Sequence, residues 1–297
     1  MASGTSSRRR RVRAVVSYFR ERPRLQRWAV VGPPYAWLVL FFALPLVTML
    51  VISFQESRIG GAWTLANYTH FLGSQTYLTV VWRTLVMTLA VTAAVTVVGY
   101  ALAYSIVRFS KRTTLLLLGV ILPFWTSYII RMYAWINILQ SGGVLDSTLA
   151  LVGVPKAGLL YSQWAVWIGF TYVWLPLAVL PFYASLTNMD PDLIEAAKDL
   201  GAGPIEAFTS VTLPQTRDGI VTGVILVFIP TFGSFITPRL LGGTNSIMIG
   251  MVIENQFKQA FNWPFGAAIG IVISVVVVAL LLVGARSGTN LFGGESA

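Results

Sequence analysis

The sequence predicts an all-α integral membrane protein, and three observations lead there. Of 297 residues, 56% are hydrophobic and 11% charged, against about 25% charged in soluble domains. Apolar runs of about 20 residues recur, the length of a helix that crosses a bilayer. The runs are continuous where barrel strands would alternate, and a helix satisfies its backbone groups within its own segment.

Residues 1–31 form a basic tail predicted to be cytoplasmic. Nine of the 21 Lys and Arg residues lie in it: Arg8–Arg11, Arg13, Arg20, Arg22, Arg24 and Arg27. Their position beside a span, in a chain of formal charge +10, argues for a membrane surface and against nucleic acid. Two readings stand for the arginines, contact with anionic headgroups or topology determination alone. The tail is too long for a signal peptide, and no A-x-A site follows the first apolar stretch, so that stretch is a retained span.

Six spans are predicted within one membrane domain over 32–286: Pro34–Phe54, Val81–Val107, Thr114–Leu139, Trp164–Leu186, Ile220–Leu241 and Phe265–Ala285. A short tail, 287–297, follows. With both termini inside, the inner side holds the nine tail residues plus Arg108, Lys111, Arg112, Lys198, Arg217 and Arg286. The other side holds Arg58, Arg83, Arg131, Lys156, Arg239 and Lys258. The positive-inside rule therefore makes both termini cytoplasmic. Prolines 45, 123, 176, 181, 230 and 238 lie in or beside spans, and each can kink a helix. Phe228–Pro238, FIPTFGSFITP, is predicted to be the least straight.

One polar stretch interrupts the spans. Asn188 to Gly219 holds six of the eleven acidic residues. Asp190 can N-cap a helix starting at Pro191, and Asp192 suits the positive end of its dipole. Leu193, Ile194, Ala197 and Leu200 give that helix an apolar stripe. Gly201 is its C-terminal stop, Pro204 starts a second short helix, and Pro214 is predicted to end it.

Glu195-Ala196-Ala197, then Gly201, then Val211-Thr212-Leu213-Pro214 resembles the EAA loop of binding-protein-dependent ABC importer permeases. Val211 stands where Ile is usual. The resemblance implies a type I importer permease fold with six transmembrane helices and a cytoplasmic coupling loop over 188–219. It also implies that Glu195, Ala196, Ala197, Asp199 and Gly201 meet a cytoplasmic ATPase subunit.

No catalytic set competes with that reading. There is no Walker A sequence and no metal-ligand spacing, and the single histidine, His70, is predicted to be a solvated loop residue without function. No acidic residue falls clearly within a span, so no buried proton relay is visible. That disfavours a self-sufficient secondary transporter, and a membrane-embedded enzyme lacks its residues. The absence of Cys excludes disulfides and thiolate metal sites.

Two further stretches narrow the resemblance. Pro123–Trp135, PFWTSYIIRMYAW, and Gly242–Ala268, with PRLLGG over Pro238–Gly243, resemble the permeases of spermidine/putrescine importers. The similarity extends over about residues 34 to 286 and leaves out the arginine-rich tail. It implies a polyamine as substrate, a second permease subunit, two cytoplasmic ATPase subunits holding ATP and Mg, and an external substrate-binding protein. No cofactor is implied on this chain, and the location implied is the bacterial inner membrane. Permeases for a sugar, an oxyanion or a ferric ion share the EAA loop and remain the alternative.

The candidate substrate path is Trp125, Tyr128, Tyr172, Trp174 and Glu254. Aromatic faces attract ammonium groups, and the same aromatics also suit an interfacial belt. Glu254 can meet a polycation or simply solvate a loop. Arg131 would repel the substrate and is expected to point into the bundle or to the headgroups.

Overall fold

A computed structural model describes residues 23–292 apart from 57, 152 and 154–157, and side chains from 31 to 282. The tail arginines up to Arg22, Lys156 and the side chain of Arg286 lie outside the described residues, as do 293–297. Among the described residues the chain is helical, with one isolated bridge between Gln55 and Trp63.

The first apolar stretch is α1 (Pro23–Leu38), a π turn (Val39–Ala43) and α2 (Leu44–Ser53). Helix therefore begins within the stretch predicted as tail. Pro45 lies in the first turn of α2. It brings no N–H to the helix, and the wider π turn before it absorbs the missing bond. Asn67 then pins the end of this stretch, donating through Nδ2 to the carbonyls of Ser53 (3.0 Å) and Gln55 (2.8 Å). Asn67 sits on α3 (Ala66–Gly73), which also carries His70. His70 is exposed as expected, but it is helical, and its ring lies against Tyr77 and Phe265.

Two long helices form the centre. The first, α4 (Gln75–Phe109), presents Val91, Val95, Gly99 and Ala103 at four-residue spacing, all buried. They pack with Val166, Phe170, Val173 and Phe182 of α8 (Gln163–Thr187) in one core. Ser162 caps α8 by accepting from the Ala165 N–H at 3.2 Å. Helix α8 runs unbroken through Pro176 and Pro181, where kinks were expected to be possible.

The third predicted span is not one straight helix. Here α5 (Thr113–Ile121) tightens into a 3₁₀ turn (Leu122–Trp125), and α6 (Tyr128–Leu139) and α7 (Val144–Leu151) follow. The segments Thr113–Trp125 and Tyr128–Leu151 meet at 97°. Pro123 withholds an N–H, and Thr126 and Ser127 are extended, so the i→i−4 ladder cannot pass.

The polar loop carries α9 (Asp192–Asp199), α10 (Pro204–Ala207), a π turn (Phe208–Thr212) and α11 (Leu213–Gln215). The fifth predicted span is also divided. Helix α12 (Arg217–Phe232) stops at Gly233, and α13 (Ile236–Leu241) resumes after three residues. Next come α14 (Ile249–Lys258) and α15 (Trp263–Phe292). The last helix reaches into the segment predicted as C-terminal tail.

Among the described residues four stretches are long and apolar enough to cross a membrane, namely Val31–Ser53, Gln75–Phe109, Gln163–Thr187 and Trp263–Leu282. The bent pair would make five. Small residues set how closely they pack. A Cβ on Gly223 would strike the Phe182 ring, and one on Gly219 the Ser185 side chain and, at 2.7 Å, the Pro181 carbonyl. Glycines four apart thus let α12 lie on α8, the small-xxx-small device of membrane helices.

Candidate functional site

The polar loop is built by its helix ends. The Asp192 N–H donates to Asp190 Oδ1 at 3.0 Å, so Asp190 holds the start of α9 as anticipated, one residue later than Pro191. At the other end Gly201 has φ of 92°. The Ala202 N–H reaches the Ala197 carbonyl at 3.0 Å and the Gly201 N–H the Lys198 carbonyl at 2.9 Å. That pair of bonds is a Schellman stop, which asks for a left-handed residue at this place.

Pro214 does not end the second helix. The π turn Phe208–Thr212 lengthens the hydrogen-bonded ring just before it, so the missing N–H is tolerated and the helix runs on to Gln215. The same turn brings Phe208 against Tyr104 (5.4 Å) and Tyr100 (6.1 Å), whose ring also meets Phe182 (5.7 Å). Ala207, Thr212 and Thr216 are buried. The C-terminal half of the loop is thereby fixed to α4 and α8.

The N-terminal half is not. Glu195, Ala196, Asp199 and Gly201 are exposed, and Ala197 is half-buried. The expected apolar stripe divides: Ile194 and Ala197 turn inward, whereas Leu193 and Leu200 do not. Leu200 is 91% exposed and Ile205 is 81% exposed. Two large apolar side chains beside a row of carboxylates make a surface suited to a protein partner.

At the opposite end of α8 the structure brings some predicted path residues together and leaves others apart. Tyr128 lies 6.1 Å from Trp174, ring to ring, and shares a hydrogen bond with the Thr237 hydroxyl. Trp135 and Tyr172 make an edge contact at 5.5 Å. Trp125 stands away, 82% exposed. Arg131 does turn into the bundle, 7% exposed, with its guanidinium over Phe124 at 5.4 Å and Tyr128 at 5.8 Å. Its Nε and Nη1, and the indole N–H of Trp174, are buried without an acceptor among the described residues.

Glu254 is held by two cations that the sequence reading did not join to it. Arg239 lies 2.7 Å and Lys258 3.2 Å from its carboxylate. Its side chain is 9% exposed. Lys258 is readable as an i,i+4 partner on one helix. Arg239 comes from α13, and only the break at Gly233 places it there. Among the described residues, open cavities elsewhere on the bundle include three that are lined by none of Trp125, Tyr128, Tyr172, Trp174 and Glu254.

Residues 96–287 match the family described as binding-protein-dependent transport system inner membrane component. The chain is 36% identical over 265 residues to the spermidine/putrescine transport system permease protein PotB of Haemophilus influenzae, covering 86% of this chain and 92% of that one. Its identity to the Escherichia coli protein of the same name is 37% over 254 residues, covering 83% and 92%. The inner membrane ABC transporter permease protein YdcU of E. coli is 31% identical over 288 residues, covering 90% and 91%. In fold, the chain is similar to a bacterial ABC transporter involved in alginate import, with TM-score 0.72 and 17% identity over 93% of this chain and 99% of that one.

Proposed function

The chain belongs to the binding-protein-dependent transport system inner membrane components, and we propose that it is the permease subunit through which a polyamine enters the cytoplasm. The observation that carries the substrate is identity of 36–37%, over 92% of their length, to permeases named for spermidine and putrescine. The exposed aromatic face of Trp125 and the Trp135–Tyr172 pair support it physically, since such rings attract ammonium without a buried counter-charge.

In this reading the chain crosses the membrane six times. The divided helices α5–α6 and α12–α13 each make one crossing, and both termini and the loop 188–219 are cytoplasmic. Helices α9 and α10 and the corner between them present Glu195, Asp199, Leu200 and Ile205 to one ATPase subunit. A second permease subunit completes the passage, an external binding protein delivers the substrate, and ATP and Mg are held by the ATPases. The fixed C-terminal half of the loop gives that contact leverage. A push on α9 passes through Phe208 and Thr216 to Tyr100 on α4, and so to the packed pair α4–α8. Rocking of this pair alternates access to the passage.

The test is ATPase stimulation of the reconstituted complex by its loaded binding protein. Spermidine or putrescine should stimulate. Stimulation by a sugar, an oxyanion or a ferric complex, with none by any polyamine, would keep the permease role and remove the substrate.

A further inference from the structure

Two cavities meet on the bundle surface away from the loop and the aromatic group. A groove of about 880 Å³ runs between α4 and α8, lined by Val86, Ala90, Ala94 and Val97 with Trp82 and Trp164. Beside it lies a polar cleft of about 580 Å³, lined by Arg83, Ser162, Gln163, Thr244, Asn245 and Ser246. Arg83 and Gln163 line both, so the two are continuous.

We propose that groove and cleft form one binding site for an anionic phospholipid, its phosphate in the cleft and an acyl chain in the groove. Charge is the first argument. Arg83 is exposed and makes no ion pair with any described residue, and no carboxylate lines either cavity. The second is Ser246, which lines the cleft while its buried hydroxyl has no hydrogen-bond partner among the described residues. A phosphate oxygen is the acceptor that both groups lack.

Depth is the third argument. Arg83 lines the groove together with its neighbour Trp82 and with Trp164, which stands in the first turn of α8 at the end away from the polar loop, the level at which tryptophans mark a membrane interface. From Arg83 to Val98 the helix advances about 22 Å at its regular rise. One leaflet of the hydrocarbon core is about 15 Å deep, so an acyl chain lies in the groove along its whole length. Alanines at 90, 93 and 94 leave the room for it. An apolar helix from another subunit would fill the groove but leave Arg83 and Ser246 unmatched, whereas a lipid matches both ends.

The full-length chain, purified in mild detergent, would be offered phosphatidylglycerol or phosphatidylethanolamine of the same acyl composition and read by native mass spectrometry. Phosphatidylglycerol should be retained in preference. Arg83→Gln should reduce its retention about fivefold, the scale of one arginine at an anionic surface. Arg83→Lys should keep most of it, which separates charge from misfolding, and Arg58→Gln should change nothing. Ala94→Trp, filling the groove, should release both lipids. Equal retention of the two lipids, or unchanged retention in Arg83→Gln, would overturn the proposal. So would displacement of the lipid by inorganic phosphate with Ala94→Trp unaffected, which would leave only an anion cleft. Cross-linking of a Val97→Cys variant to a second polypeptide in native membranes would assign the groove to a subunit and overturn it as well.

Discussion

The Tyr100 hydroxyl lies 2.7 Å from the Thr216 hydroxyl, both buried, across 116 positions of sequence. It joins the lower half of α4 to the residue that separates the polar loop from α12. Thr216 also donates to the Thr212 carbonyl at 2.8 Å, so one hydroxyl ties the loop's last turn to the bundle. Tyr100→Phe keeps the ring against Phe182 and Phe208 and removes only the bond. Within a membrane such bonds contribute about 0.6 kcal/mol on average. Thermal unfolding of the purified chain should therefore shift little, while transport coupled to ATP hydrolysis falls several-fold. Tyr100→Ala loses the ring contacts too and should destabilise by about 3 kcal/mol or more. Full coupling in the Phe variant would remove the proposed path of force.

Gly201 and Gly223 call for opposite tests. At Gly201 a Cβ meets nothing within 4 Å, and the strain lies in φ alone. Gly201→Ala should cost about 1–2 kcal/mol of loop geometry, leaving insertion intact and transport reduced, and Gly201→Val should do more. Gly201→Asn should be the mildest, since Asn tolerates the left-handed region. Membrane fractionation beside uptake checks this. Uptake at the normal level in Gly201→Val would sink it.

At Gly223 the strain is contact. An added methyl strikes the Phe182 ring, and overpacking of this kind costs about 1–3 kcal/mol. Gly223→Ala should lower the yield of folded protein, and Phe182→Leu in the same chain should restore part of it. A Gly223→Ala chain as stable as the parent would show that α12 and α8 are not held at that distance.

These two glycines also show what the sequence made legible. Gly201 was readable because its signal is local: Asp190, the apolar run and the glycine all belong to one helix and its two ends. The α4–α8 core was readable for the same reason, from unbroken apolar runs of sufficient length. The break at Gly233 falls within Phe228–Pro238, the stretch predicted to be the least straight, but its size and the bend at Thr126–Ser127 were not placed, because a proline permits a kink without fixing its size. Pro176 and Pro181 carry the same residue type and leave α8 unbroken. The Glu254–Arg239 pair was invisible because it depends on that break. The π turn before Pro214 depends on Phe208 finding Tyr100 and Tyr104, contacts that no local pattern encodes.

The proposed topology rests on the distribution of Lys and Arg and is tested by accessibility. Cysteines introduced at Ser6 and Gly203 should be shielded from an impermeant thiol reagent in intact cells, and one at Thr148 should react. Thr148 is exposed on α7, and Gly203 is exposed between α9 and α10. The chain has no native Cys to confuse the readout. Reaction at Gly203 from outside would reverse the orientation and withdraw the loop from the cytoplasm.

Charge on α9 offers a separate test of coupling. Glu195 is exposed and makes no ion pair with any described residue, so Glu195→Lys should fold normally and change only what the surface presents. ATPase subunits should copurify less well with the variant. Leu200→Ser removes apolar contact rather than charge at a residue 91% exposed, and should weaken copurification without loss of chain stability. Undiminished copurification in both would place the ATPase contact elsewhere.

The substrate path turns on Arg131, because it decides which aromatic faces remain available. Its guanidinium lies over Phe124 and Tyr128, so those rings already serve a cation of the protein. Trp125 is 82% exposed, and Trp135 and Tyr172 engage each other and the core among the described residues. A ring at an exposed position attracts an ammonium by about 0.5–1 kcal/mol. Trp125→Ala should therefore lower spermidine uptake by about twofold to fivefold, with assembly of the complex unchanged. Tyr128→Ala acts by another route, uncovering Arg131 toward the passage and adding repulsion, so its loss should be larger and should deepen with the number of charges on the polyamine. Tyr128→Phe keeps the covering ring, gives up only the bond to Thr237, and should transport nearly as well as the parent. Uptake measured for putrescine and spermidine side by side checks the ordering. Equal losses for both substrates in Tyr128→Ala, or a Phe variant as poor as the Ala variant, would mean that the ring supports the bundle and does not screen the passage from Arg131.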